Sequence, residues 1–138
     1  MRTTLIAVGK ARPPFAEADA HYLKLLSKRL PVELIEVRDG EQVVGRIPER
    51  VHAVALAADG RELASEGWAE WLQNRKLAAV DLCFLIGGAH GLDDSALARA
   101  DESLSLGPQT MAHQLARAVL LEQLFRATKI LAGEPYHY

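Results

Sequence analysis

The residues best suited to chemistry gather in the last third of the chain. Gly87, Gly88 and Gly91 punctuate LIGGAHGL directly after an apolar run, and a second loop, GPQTMA, occupies Gly107 to Ala112. Glycine permits positive φ and lets a backbone approach a ligand with no Cβ in the way. In open α/β sheets, loops that follow strands face the ligand crevice. An ordinary strand-to-helix turn has the same spacing as GGAHGL, so both readings stand at this point. Neither loop is a phosphate cradle. GGAHGL lacks the G-x-G-x-x-G register and no G-x-x-x-x-G-K-[ST] occurs, which disfavours dinucleotide and P-loop chemistry.

Five histidines, His21, His52, His90, His113 and His137, could suggest a metal. None is paired at i,i+4 or set against cysteines in a ligand spacing, so no metal is expected. His21 falls on a helix surface and His52 at a strand start, whereas His90, His113 and His137 fall in loops or at element ends. No G-x-S-x-G elbow supplies a serine nucleophile. Glu122 and Arg126 stand at i,i+4 on one helix and can pair, and a solvated surface pair is the ordinary explanation of that spacing. The chain closes on EPYHY, with a stacking ring at Tyr136 and a titratable imidazole at His137. A tail merely stapled to the domain by Tyr136 is the alternative.

The elements that must position these groups follow from periodicity. Thr3 to Val8, Val32 to Val37, Val51 to Ala57, Asp81 to Ile86 and Ser103 to Leu106 read as strands, the fourth as fully buried. Pro13-Pro14 leads into a helical pattern that Pro31 stops, carrying Ala18, Tyr22, Leu25, Leu26 and Leu30. Asp59-Gly60 reads as the turn that ends the third strand, and Ser65 as the N-cap of a helix ending near Asn74. Arg38 to Arg50 reads as loop with a turn of helix. A short helix at Ser95 to Ala100 and a long one at His113 to Ala132, stopped by Gly133, complete an α/β pattern with a mostly parallel sheet. Apolar residues lie on several sides of the last helix, so one face can cover the sheet and another a second subunit, which favours a C2 homodimer.

A length of 138 residues, 49% hydrophobic and 25% charged, suits one globular domain spanning 1–138. The lone Cys83 excludes an internal disulfide and a cysteine-based zinc cluster. No secretory leader and no bilayer-length apolar run is visible, so a cytoplasmic protein with no membrane contact is expected. A net charge of −2 is not the footprint of an autonomous nucleic-acid binder. Any RNA contact must come from a local patch, and Arg117, Arg126 and Lys129 outnumber Glu122 and Glu134 near the end of the chain.

LIGGAHGL at Leu85 to Leu92, LSLGPQTMAHQLARAVLLEQLFRATKI from Leu104, and PYH at Pro135 to His137 together resemble the SPOUT-class large-subunit (23S) rRNA pseudouridine N3-methyltransferases of the RlmH type. TLIAVGK and VELIEV also fit, so the resemblance covers nearly the whole chain. It implies a SPOUT-type α/β fold with a deep C-terminal trefoil knot, the knot and cofactor site lying in about 81–138, and a homodimer. It implies S-adenosyl-L-methionine as cofactor, bound by Leu56, Gly88, Gly107, Pro108, Gln109, Thr110, Met111 and Ala112. It implies methylation of N3 of a pseudouridine in an rRNA stem-loop of assembled ribosomes, with His113, Arg126, Tyr136 and His137 as catalytic candidates. Glu122 would orient Arg126. Tyr138 stands where the family usually has a basic residue, His90 where it usually has an acidic or aromatic one, and the chain is shortened between Arg38 and Arg50. A knotted ribosome-binding or assembly protein without catalysis, and a SPOUT enzyme acting on another RNA, are the alternatives.

Overall fold

The computed structural model describes residues 1–137. Strands and helices alternate: β1 (Thr3–Val8), α1 (Phe15–Leu26), β2 (Val32–Val37), β3 (Val51–Glu62), α2 (Ser65–Leu77), β4 (Asp81–Ile86), α3 (Asp94–Arg99), β5 (Glu102–Ser105) and α4 (His113–Ala132). The strands form one sheet in the order β2-β1-β4-β3-β5, and every pairing is parallel. Parallel strands are covered on both faces, which is why β4 is a continuous apolar run. Leu82, Phe84 and Ile86 pack with Leu26, Trp68, Leu72 and Leu121 on the face that carries α1, α2 and α4. Cys83 and Leu85 pack with Ile6, Val43 and Ala96 on the other face, under α3.

The last helix has the bounds its periodicity predicts. Leu120, Leu121, Leu124 and Ala127 are buried, and α4 packs against both α1 and α2. Gly133 ends it in the left-handed region at φ 67°, and the N–H groups of Gly133 and Glu134 reach back to Ile130 and Lys129 carbonyls. An αL residue just past the last turn satisfies carbonyls that a helix end otherwise leaves free. Leu115 and Leu131, near its two ends, stay exposed.

Several expectations change. β3 does not stop at Ala57: Leu56 and Arg61 both stand opposite Leu104, so 57–60 bulge out and the strand resumes to Glu62. A Cβ on Gly60 would lie 2.8 Å from the Leu104 carbonyl carbon, so the Asp-Gly signal marks a bulge pressed against β5 rather than a strand end. Ser65 is not the N-cap; Ala64 is, and the Ser65 hydroxyl donates to Gln123 Oε1 on α4 at 2.9 Å. The α2 helix runs on to Leu77, and α1 stops at Leu26, although Leu30 is still buried. The stretch after β2 holds two 3₁₀ turns, Gly40–Gln42 and Val44–Arg46, the first closed by an Asp39–Gln42 capping box. Val43 between them is fully buried. Among the described residues no helix is long and apolar enough to cross a membrane.

Candidate active site

A cavity of about 520 Å³ opens where the carboxyl ends of β3, β4 and β5 come together. Its walls are the β3 bulge from Leu56 to Asp59, the loop after β4 and the loop after β5, with Leu97, His113 and Ala116 closing the sides. The volume lies in the ordinary range for small-molecule sites, about 300–1,000 Å³. Leu56, Gly88, Gly107, Gln109, Thr110 and Met111 line it, whereas Pro108 and Ala112 share the β5 loop without facing the space. His113 also lines it. Four glycines and four alanines line it beside larger side chains, among them Leu56, Ile86, Leu97, Leu106 and Met111.

Close backbone approach gives the cavity its shape. After β4 the chain folds back so tightly that a Cβ on Gly87 would lie 2.3 Å from the Gly91 carbonyl carbon. The Gly91 N–H donates to the Gly88 carbonyl at 3.0 Å, and Gly91 sits at φ 79°. On the far side, a Cβ on Gly88 would press to 3.1 Å from Val8 Cγ1. Ser105, which sequence reasoning passed over, ties the other two walls together. Its buried hydroxyl accepts from the Gly107 N–H at 3.0 Å and shares its proton between the carbonyls of Gly107, at 2.8 Å, and Ala58, at 3.2 Å.

A second cluster lies at the other end of α4. Glu122 Oε2 accepts from Arg126 Nη2 at 2.7 Å and from the Tyr136 hydroxyl at 2.8 Å. The Arg126 guanidinium lies 4.7 Å from the centroid of the Tyr136 ring, which meets Phe125 edge-on at 4.9 Å. Burial pushes Glu122 upward, but hydrogen bonds from Arg126 and Tyr136 more than reverse this and hold it below the ordinary carboxylate value. Burial and the Glu122 carboxylate push Tyr136 up to about 12, so the phenol keeps its proton at neutral pH. The tail is therefore docked.

His137 completes the cluster through both ring nitrogens: Nδ1 lies 3.1 Å from Arg126 Nη1, and Nε2 lies 2.7 Å from Glu66 Oε1 on α2. A guanidinium can only donate, so Nδ1 is the acceptor and the ring proton sits on Nε2, donated to Glu66. The ring's one lone pair is thus occupied while the tail is docked. Glu66 carried no signal in the sequence, because its contact spans 71 positions.

The four catalytic candidates therefore separate into one and three. His113 lines the cavity, whereas Arg126, Tyr136 and His137 form the tail cluster; Arg126 follows His113 by thirteen positions of helix, about 20 Å at 1.5 Å per residue. The basic end of the chain is also not free charge. Arg126 pairs with Glu122, Lys129 with Glu134 at 2.9 Å, and Arg117 is wholly buried against Glu36 at 2.6 Å. His90 is exposed on the outer rim of the β4 loop, beside Arg38 and Asp39. Tyr138 lies outside the described residues. Among those residues no group of three or more His, Cys, Asp or Glu side chains is placed to hold a metal ion.

A family model described as a predicted SPOUT methyltransferase matches residues 1–137. A protein of Stenotrophomonas maltophilia (strain R551-3), named ribosomal RNA large subunit methyltransferase H, is 39% identical over 154 aligned positions that cover 99% of each chain. One of the same name from Gluconacetobacter diazotrophicus is 42% identical over 147 positions, covering 96% of this chain and 95% of its own. The fold is also that of TrmJ from Z. mobilis ZM4, with a TM-score of 0.59 and 11% identity over 100% of this chain and 73% of the other. A putative methylase family protein from Neisseria gonorrhoeae gives 0.62 and 10%, over 99% and 95%. The chain belongs to the SPOUT methyltransferase family, alongside the relatives named ribosomal RNA large subunit methyltransferase H.

Proposed function

We propose that this methyltransferase transfers a methyl group from S-adenosyl-L-methionine to N3 of a pseudouridine in a stem-loop of large-subunit rRNA, acting on assembled ribosomes in the cytoplasm. The observation that carries this reading is the glycine-containing cavity at the carboxyl ends of β3, β4 and β5. It lies in the loops to which the family resemblance assigns the cofactor, and at Gly87 the first of these loops turns too tightly to admit a Cβ. Leu56, Gly88, Gly107, Gln109, Thr110 and Met111 would hold the cofactor there, with Pro108 and Ala112 shaping the same loop. When bound, it supplies an electrophilic methyl group on a sulfonium. In this reading the β4 and β5 loops that close on the cavity are the ones interlocked in a C-terminal trefoil knot.

Alkylation at N3 demands an in-line approach and removal of the N3 proton. His113 stands at the cavity wall, where a ring nitrogen can orient the base or accept that proton. His137 can do so only after its Nδ1 leaves Arg126, and Tyr136 serves as a ring for stacking rather than as a base. Arg126 and Glu122 hold these two in register. The separation of the cluster from the cavity within one chain supports a homodimer, since a two-fold partner can bring its tail cluster to this chain's cavity.

Calorimetric titration with S-adenosylmethionine, followed by tritiated methyl transfer to ribosomes from a strain lacking the modification, tests the reading. Saturable binding with label in large-subunit rRNA is expected. No cofactor binding would leave a ribosome-docking protein, and label in tRNA instead would point to another RNA substrate.

A further inference from the structure

Arg117 is the only cation among the described residues that is fully buried, at 0% exposure. A buried charge is costly unless paired and hydrogen-bonded, so its partners show what it is there to hold. They are Glu36 Oε2 at 2.6 Å through Nη1, and the carbonyls of Val8 at 3.0 Å and Gly9 at 2.5 Å through Nη2. The same Glu36 oxygen accepts from the Ala11 N–H at 2.7 Å. One turn before Arg117, Gln114 grips the next stretch from both sides. Its Nε2 donates to the Lys10 carbonyl at 3.1 Å and its Oε1 accepts from the Arg12 N–H at 2.9 Å. The segment leaving β1 is thus fastened by its main chain from residue 8 to residue 12.

That fastening leaves the side chains of Lys10 and Arg12 unused. Both residues are exposed, and among the described residues neither side chain makes an ion pair or hydrogen bond. They stand beside the cavity: Val8 packs on Gly88 of its wall, and Gln114 follows His113, which lines it. The nearest carboxylate in the network, Glu36, is already neutralised by Arg117. Arg38, by contrast, shares its hollow with Asp39, Glu41 and Asp93 and offers no net positive charge. Arg126 and Lys129, near the end of the chain, are each paired with a glutamate.

We infer that the loop after β1 is a phosphate contact for the RNA substrate, with Lys10 and Arg12 as the charges and Arg117 and Gln114 as the residues that position them. The inference rests on the rRNA reading and says where the electrostatic footing of a net-acidic protein lies. A loop whose main chain is held in place loses little freedom when two phosphates dock on it, and phosphate contacts fix register without reading sequence.

The test compares Lys10→Ala/Arg12→Ala with Lys24→Ala/Lys28→Ala, which removes the same charge at the exposed far end of α1. Binding to unmodified ribosomes is measured across a salt series, with cofactor titration as a check on folding. The first variant is expected to bind about tenfold more weakly near 0.1 M salt, with a log–log salt slope flatter by about 1.4–1.8 for two lost phosphates. The second is expected to match the wild type, and cofactor affinity should hold in both. Wild-type affinity and slope in the first variant, or equal losses in the two, would overturn the inference while leaving the rRNA reading intact. If the wild type itself binds no ribosomes, that reading falls and the loop contact falls with it.

Discussion

At the cavity, main chain presses on main chain, and the groups that set the shape are glycines, carbonyls and one buried serine hydroxyl. At the tail cluster, five side chains, Glu66, Glu122, Arg126, Tyr136 and His137, satisfy one another and the backbone contributes little. A turn held by such close backbone approach fails where a Cβ is added. A side-chain network fails when any member is removed, and it must come partly undone before it can act, because its acceptors are occupied. This difference suits a division of labour in which one region holds a cofactor and the other meets a nucleotide and its proton.

The largest effect should come from His137→Ala, which ought to separate the two regions cleanly. Loss of a group that moves a proton in the transition state costs about 10²–10⁴ in turnover, while cofactor affinity should stay near wild type because His137 is absent from the cavity wall. Unchanged single-turnover methyl transfer would remove the imidazole from the mechanism and leave His113 as the candidate. Gly87→Ala should do the reverse. With backbone atoms 2.3–2.5 Å from the new Cβ, the turn after β4 must open, and we expect cofactor affinity to fall about 100-fold by calorimetry. Retained affinity would show that the ligand lies elsewhere.

Sequence reasoning reached different depths in the two regions. The cavity was legible only in part: glycines directly after an apolar strand read equally as a turn or as a ligand loop, and the family resemblance supplied the residues assigned to it. Six of its eight assigned residues face the space. What stayed hidden were contacts between positions far apart, such as Ser105 bridging two loops, Glu66 meeting His137, and Arg117 turning inward to reach Val8 and Gly9. Arg117 counted only as one of the basic residues near the end of the chain, because helical periodicity shows which side a residue is on and not what waits there. The bulge in β3 was misread for a related reason: Asp59-Gly60 carries the composition of a turn, and only the register against Leu104 shows that the strand continues.

Arg117→Met sharpens the comparison from between the two regions. It keeps the apolar stem but leaves the Val8 and Gly9 carbonyls and the Glu36 carboxylate without their donor. Removing one partner of a buried pair costs about 3–5 kcal/mol, and the partial exposure of Glu36 lowers this to about 2–4 kcal/mol. Urea unfolding would read it as a lower midpoint. A loss below about 1 kcal/mol would mean that water readily replaces the guanidinium.

The smallest effect, opposite in sign, is expected at Asp19, a carboxylate buried on α1 with no hydrogen-bond partner on either oxygen. Burial pushes its pKa up to about 6 against the pull of the Arg117 charge, from an ordinary value of 3.8. Between those two values the native state holds a proton that the unfolded chain has released, so stability falls as pH rises through this window and stays lowered above it. A neutral amide at this position has no proton to lose. Asp19→Asn should therefore raise stability at pH 7.5 by about 1–3 kcal/mol, and the gain should shrink toward zero below pH 4. Thermal unfolding of both proteins at the two pH values measures it. A variant that is less stable at pH 7.5 would mean that attraction between Asp19 and Arg117 outweighs the cost of burying the carboxylate, and that the acid, like Glu36, helps to hold the arginine beneath the loop after β1.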